Sequence, residues 1–245
     1  MKFVSLVATL LICGWVGGCA AESKAPAAAP APAAVNPGEP AAAAPAVAPT
    51  ADQAFEWLKA GNARFVSGHP IHPHDNTGRR VELTASQHPY AIVLGCSDSR
   101  VPPPLVFDAG LGDLFEIRVA GNTADDSALA SIEYAAEHLH APLLVVLGHE
   151  KCGAVAATVD AAKSSEKPAG HLSAIIDPIR PAVEKAKGEE GDLTTNAVKE
   201  NVKNVVRVLE HSEPVLAEMV HSGHLKVVGA VYRLDTGEVV FTEAN

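Results

Sequence analysis

The stretch AIVLGCSDSRVPPP, residues 91–104, joins an uninterrupted apolar run to a thiol, a carboxylate and a guanidinium at alternate positions, and then to three prolines. Five apolar residues followed by turn-forming ones suit a strand covered on both faces. Three further runs have the same character: LFEIRV (114–119), PLLVVLG (142–148) and LKVVGAVY (225–232). Helical patterns lie between them, in DDSALASIEYAAEHL (125–139), in the segment after Cys152, and in residues 195–223. Such alternation predicts an α/β fold with a mainly parallel β-sheet flanked by helices. EVVFT (238–242) follows the turn at Asp235-Thr236-Gly237 and predicts a terminal hairpin at the sheet edge. Phe55, Leu58 and Phe65 in ADQAFEWLKAGNARFV (51–66) predict an N-terminal helical arm.

The chain has 245 residues and a formal charge of -10. Its length suits one domain of ordinary size. No long run of lysine or arginine offers a footprint for nucleic acid or anionic lipid, so the composition directs attention to small-molecule chemistry.

The first 50 residues stand apart. Met1 and Lys2, the apolar segment from Phe3 to Val16, and Val16-Gly17-Gly18-Cys19 have the layout of a bacterial lipoprotein signal over residues 1–18, with Cys19 as the lipidated thiol. An ordinary secretory signal cut near Ala20 or Ala21 is the alternative. The apolar run is short of the roughly 20 residues that span a bilayer. Residues 19–50 are dominated by Ala and Pro and read as an extended tether, which leaves 51–245 as the folded domain. The expectation is an exported protein, lipid-anchored to a bacterial membrane and facing the periplasm, that meets the membrane only through its anchor.

Of the four cysteines, Cys13 falls in the signal and Cys19 at its end, leaving Cys96 and Cys152 in the folded part. In an oxidising compartment a disulfide is the plain reading of two such thiols. Their neighbours favour a metal site instead. In open parallel sheets ligands bind beyond the carboxyl ends of the strands, and Cys96 closes one strand while GHEKCG (148–153) follows another. If the chain stays extended past residue 96, then Cys96, Asp98 and Arg100 project to one side. His149 and Cys152 are three apart at a predicted helix start, where a thiol ionises more readily. Two sulfurs and an imidazole suit Zn²⁺, and three protein ligands leave the fourth position open for catalysis. A bidentate pair with Arg100 would hold Asp98 off the metal. His69, His72 and His74 in GHPIHPHD (68–75) suggest a second metal site, but the nearby prolines and glycines favour a surface turn.

CSDSRVPP (96–103), GDLFEIRVAGN (112–122), SIEYA (131–135) and GHEKCGAV (148–155), in that order, resemble the β class of carbonic anhydrases, and the likeness extends from residue 51 to the end. The resemblance implies zinc-dependent, reversible hydration of carbon dioxide to bicarbonate, and a homodimer or higher even oligomer with active sites at the subunit interface. By position it implies substrate-binding roles for Gln87, Phe115 and Tyr134, as in the plant-like branch, and catalytic roles for Asp98 and Arg100. A second branch carries an inhibitory bicarbonate pocket that needs a tryptophan where this chain has Val93. RVAGN departs from the plant-like RNVAN and puts Ala120 at a pocket wall usually formed by a larger residue. Two alternatives keep the zinc: hydrolysis of a CO2 analogue such as carbon disulfide or carbonyl sulfide, and a non-catalytic, zinc-stabilised bicarbonate-binding protein.

Overall fold

The structure is a computed structural model, and it describes residues 48–164 and 168–242. The signal segment, Cys19 and the tether up to residue 47 lie outside the described residues.

Four parallel strands form the centre: β1 (Ala91–Gly95), β2 (Leu114–Arg118), β3 (Leu143–His149) and β4 (Lys226–Tyr232). A short β5 (Val239–Phe241) pairs antiparallel with β4, giving the order β2-β1-β3-β4-β5. This is the predicted parallel sheet with its terminal hairpin. Every residue of β1 and β3 is buried, as their unbroken apolar runs require.

Strand alternation sorts these residues into two cores. Ile92 and Leu94 of β1, with Leu144 and Val146 of β3, face α4 (Asp126–Glu137), α7 (Leu193–Glu210) and α8 (Val215–His221). Ala91, Val93, Leu143, Val145 and Leu147 face the predicted arm, α1 (Ala51–Val66), and α3 (Pro103–Val106). Val93 is fully buried there. Helix α1 begins at a reciprocal cap in which Thr50 Oγ1 accepts from the Gln53 N–H and the Thr50 N–H donates to Gln53 Oε1. It buries Ala54, Leu58 and Gly61, and its buried Asn62 binds the Val106 and Gly237 carbonyls and the Val239 N–H. One amide thereby ties the arm to α3 and to the hairpin.

A short α2 (Thr77–Glu82) precedes β1. The segment after Cys152 carries two helices, α5 (Gly153–Ala161) and α6 (Ser173–Ala186). Helix α6 contains Pro178 and Pro181, residues that ordinarily end a helix. Burial of Ile176, Ile179 and Val183 contributes about 1.5–3 kcal/mol each, which offsets roughly 3 kcal/mol for each interior proline. Ile179 and Val183 pack with α5 and α7 into a third core that includes Cys96 and Cys152. Among the described residues, no helix is long and apolar enough to cross a membrane.

Candidate metal centre

Cys96 lies one residue beyond β1, His149 is the last residue of β3, and Cys152 caps the N-terminus of α5. The adjacent parallel strands β1 and β3 therefore deliver three side chains to one point at the carboxyl edge of the sheet. The two sulfurs and a His149 ring nitrogen all lie within 4.8 Å of one another, and all three residues are buried. Both thiols are free, so the plain disulfide reading is not realised.

His149 is fully inaccessible, and its Nε2 has no hydrogen-bond partner among the described residues. Its Nδ1 lies 2.9 Å from the Glu150 carbonyl oxygen. A carbonyl only accepts, so Nδ1 carries a hydrogen, and in the neutral ring Nε2 keeps the lone pair, free for a metal. That tautomer suits a metal ligand with its outer nitrogen anchored. The donor set therefore fits a soft or borderline cation.

Cys96 is held well below the ordinary thiol range, chiefly by a hydrogen bond from the Cys152 thiol, with burial opposing and His149 and the Gly121 N–H assisting. Cys152 is pushed up by its bond to Cys96 and by burial. The expected effect of the helix start on the Cys152 thiolate is present and is opposed by Cys96. The N–H groups of Val155 and Ala154 do favour it, but they are outweighed by the neighbouring sulfur.

Asp98 and Arg100 meet as predicted, but by a different local geometry. The chain does not stay extended: the Val101 N–H donates to the Asp98 carbonyl, and the Arg100 N–H donates to Asp98 Oδ1, closing a turn. The guanidinium then grips both carboxylate oxygens, Nε to Oδ1 at 2.9 Å and Nη2 to Oδ2 at 2.7 Å. These bonds hold the Asp98 carboxyl far below the usual carboxylate range. Asp98 Oδ2 stands 3.8 Å from His149 Nε2, at the edge of the cluster.

Two supports escaped the sequence reading. Arg118, at the end of β2, donates from Nε to the Cys96 carbonyl at 3.0 Å and from Nη2 to the Asp98 carbonyl at 2.6 Å, fixing the loop that carries both. It stands in register with Gly95, one residue before Cys96, a pairing the sequence does not display. Behind Cys96, the Gly121 N–H donates to Sγ at 3.2 Å. Ala120, the departure from the plant-like pattern, begins the short turn that contains Gly121.

Gln87, Phe115 and Tyr134 gather elsewhere. Gln87 and Tyr134 line an open groove of about 720 Å³, and the Tyr134 ring sits 6.2 Å from that of Phe115. Gln87 precedes β1 and Cys96 follows it, so five extended residues put on the order of 16 Å between them. A single chain does not bring these three residues to the sulfurs. His69, His72 and His74 form the turn favoured above: His72 and His74 adopt positive φ, the His72 N–H donates to Asp108, and His74 pairs with Asp113 at 2.7 Å.

Comparison with known proteins agrees with this geometry. Residues 91–239 match the family model described as carbonic anhydrase. A carbonic anhydrase of Mycolicibacterium smegmatis is 40% identical over 186 residues, 76% of this chain and 90% of the relative. The solved β-carbonic anhydrase CcaA superposes with a TM-score of 0.60 at 30% identity, covering 77% of this chain and 95% of that one. Two tetrameric β-carbonic anhydrases of Sordaria macrospora share the fold with a TM-score of 0.60 at 24% identity, over 78% of this chain and 97% of that one.

Proposed function

Because this chain belongs to the carbonic anhydrase family and has the β-class fold, we propose that it catalyses the reversible hydration of carbon dioxide to bicarbonate and a proton, with Zn²⁺ held by Cys96, His149 and Cys152. The observation that carries the reading is the convergence of two sulfurs and the unpartnered His149 Nε2 within 4.8 Å, beside a carboxylate already gripped by Arg100.

Bound there, Zn²⁺ supplies the Lewis acidity that makes a water nucleophilic near neutral pH. The chain does the rest. Glu150 fixes the His149 ring through Nδ1, and Gly121 and Arg118 fix Cys96 through its sulfur and its carbonyl. Asp98, kept ionised by Arg100, accepts a hydrogen bond from the attacking water and turns the oxygen lone pair toward the carbon of CO2. Arg100 spans both Asp98 oxygens and would keep the carboxylate off a metal held by the three ligands. A non-catalytic zinc site has no use for this pair.

Gln87, Phe115 and Tyr134 form the substrate-binding wall, and a second copy of the chain supplies it, since they lie at the other end of β1 from Cys96. The tetrameric Sordaria neighbours support an assembly of even number. We further propose export and lipidation at Cys19; detergent partitioning that Cys19→Ser leaves unchanged would exclude the anchor.

Stopped-flow CO2 hydration together with metal analysis of the purified protein tests the function. One zinc per chain with rapid hydration is expected. A zinc-loaded protein that leaves CO2 untouched but hydrolyses carbonyl sulfide or carbon disulfide would replace the substrate assignment, and inertness toward all three would overturn the enzymatic reading.

A further inference from the structure

The peptide that donates to the Cys96 sulfur is held in an uncommon conformation. Gly121 adopts φ 74° and ψ 17°, and Asn122 after it has φ 46°, so two successive residues occupy the left-handed region. Such a turn persists only where its surroundings fix it. One fixing group is distant in sequence: Asn201 of α7 donates from Nδ2 to the Gly121 carbonyl at 2.9 Å. The same residue thus gives its N–H to Cys96 Sγ and its carbonyl to Asn201.

Asn201 is costly at this position. It is 1% exposed on α7 beside the buried Ala197, Val198, Val202 and Val205, and its Oδ1 has no hydrogen-bond partner among the described residues. A leucine of nearly the same shape would remove that buried unpaired acceptor. Packing alone therefore gives no reason for an amide here, whereas its grip on Gly121 does. The space that a side chain at 121 would fill is closed by Ile179 and Ala154, so packing locates the glycine while the amide sets the orientation of its carbonyl.

We infer that Asn201 is a positioning residue for the metal centre: by pinning the Gly121 carbonyl it keeps the Gly121 N–H on Cys96 and so sets the orientation and donor strength of that sulfur. The inference rests on the zinc reading above. An N–H held on the sulfur fixes the direction in which its lone pairs point, and so acts on any metal it binds. Outer groups of this kind commonly change metal affinity by about 10–100-fold.

The test compares the full-length wild type with Asn201→Leu, using chelator competition for Zn²⁺ and the thiolate-to-metal charge-transfer absorption of the Co²⁺-substituted protein. Asn201→Leu is expected to bind zinc about tenfold more weakly and to shift the cobalt band, while the metal-free protein melts somewhat lower, because the buried Gly121 carbonyl loses its donor. Ile179→Val, which loosens the packing on Gly121 without touching its hydrogen bonds, is expected to lower the melting temperature and leave the band in place. If Asn201→Leu fails to fold, Asn201→Ser, too short to reach Gly121, is measured in the same way. A wild-type band and affinity in the Asn201 variant, or equal band shifts in both variants, would overturn the inference. A wild type with no thiolate band would instead overturn the zinc reading itself.

Discussion

Arg100 holds Asp98 by both carboxylate oxygens while Asp98 Oδ2 stays 3.8 Å from His149 Nε2, so the carboxylate stands beside the ligand cluster and is committed to another partner. The consequence is a division of labour. Asp98→Asn leaves all three ligands in place and should retain zinc, yet lose turnover by on the order of 10²-fold, because an amide no longer offers the same charged acceptor to the attacking water. Cys152→Ser should lose the metal itself. Metal analysis beside stopped-flow rates separates the two, and full zinc in the Cys152 variant would contradict the ligand assignment.

The same pair fixes the direction of a pH effect. Hydrogen bonds from Arg100 lower the Asp98 pKa, so its ionised form, and whatever depends on it, is present above the ordinary carboxylate range and is lost only as pH falls well below it. Removing the guanidinium lets the Asp98 pKa rise. Arg100→Ala should therefore bring a carboxylate-dependent fall of kcat/KM up into the ordinary carboxylate range, beneath the limb set near neutral pH by ionisation of the attacking water. A variant profile with no such added fall would show that Arg100 does not control the carboxylate.

Glu200 gives a stability effect of the same sign, away from the site. It is 2% exposed on α7, between Lys203 at 2.6 Å and Lys185 of α6 at 2.5 Å. Burial alone would raise its pKa, and the two ammonium groups outweigh burial, so the net shift is downward. The stabilisation is present above the unfolded-state pKa and lost as pH falls through the lower folded value. Both lysines are about half exposed and can return to water, so Glu200→Gln should cost about 1–2 kcal/mol at neutral pH rather than the larger penalty of a stranded buried charge. Denaturant unfolding at pH 7 and pH 3 checks this. The variant should differ from wild type at pH 7 and converge with it at pH 3.

Gly61 marks where the arm meets the body. A Cβ at this position would lie 1.8 Å from the Phe107 carbonyl oxygen, which is backbone and cannot swing aside. Gly61→Ala must push α1 away from α3, and should destabilise the domain by about 3 kcal/mol or more despite the better helix propensity of alanine. A melting temperature near that of wild type would show that α1 is not seated as described.

The parts of this molecule that were legible in the sequence are those in which side-chain type and spacing do the physical work. AIVLG and PLLVVLG read as buried strands because both faces of the sheet are covered, and the three ligands read as a cluster because each sits where a strand or helix meets a turn. Helix α6 falls in the helical segment read after Cys152, but its bounds were hidden by Pro178 and Pro181, whose local cost is outweighed only by packing that no local pattern displays. The Asp98 turn was hidden because one hydrogen bond to the Arg100 N–H overrides strand alternation. Arg118 and Asn201 act on backbone carbonyls, and a sequence does not tell which carbonyl a side chain will meet. Asn201 did leave a trace, as a polar residue on an apolar helix face.

Gln87, Phe115 and Tyr134 are a different case, since their link to the metal lies in the resemblance and one chain keeps them apart. If a second copy supplies this wall, each active site is built from two chains, and its parts can be damaged separately. Copies carrying Cys152→Ser keep an intact wall but lack a metal site; copies carrying Gln87→Leu with Tyr134→Phe keep the metal but lack the wall. In a mixed dimer isolated through two different affinity tags, one of the two sites pairs an intact metal with an intact wall. The other carries both defects. Such a dimer should show about half the wild-type rate, although each parental homodimer is nearly inactive. Activity no higher than the mean of the two parents would show that the wall serves the metal of its own chain, and the groove around Gln87 would then need another occupant.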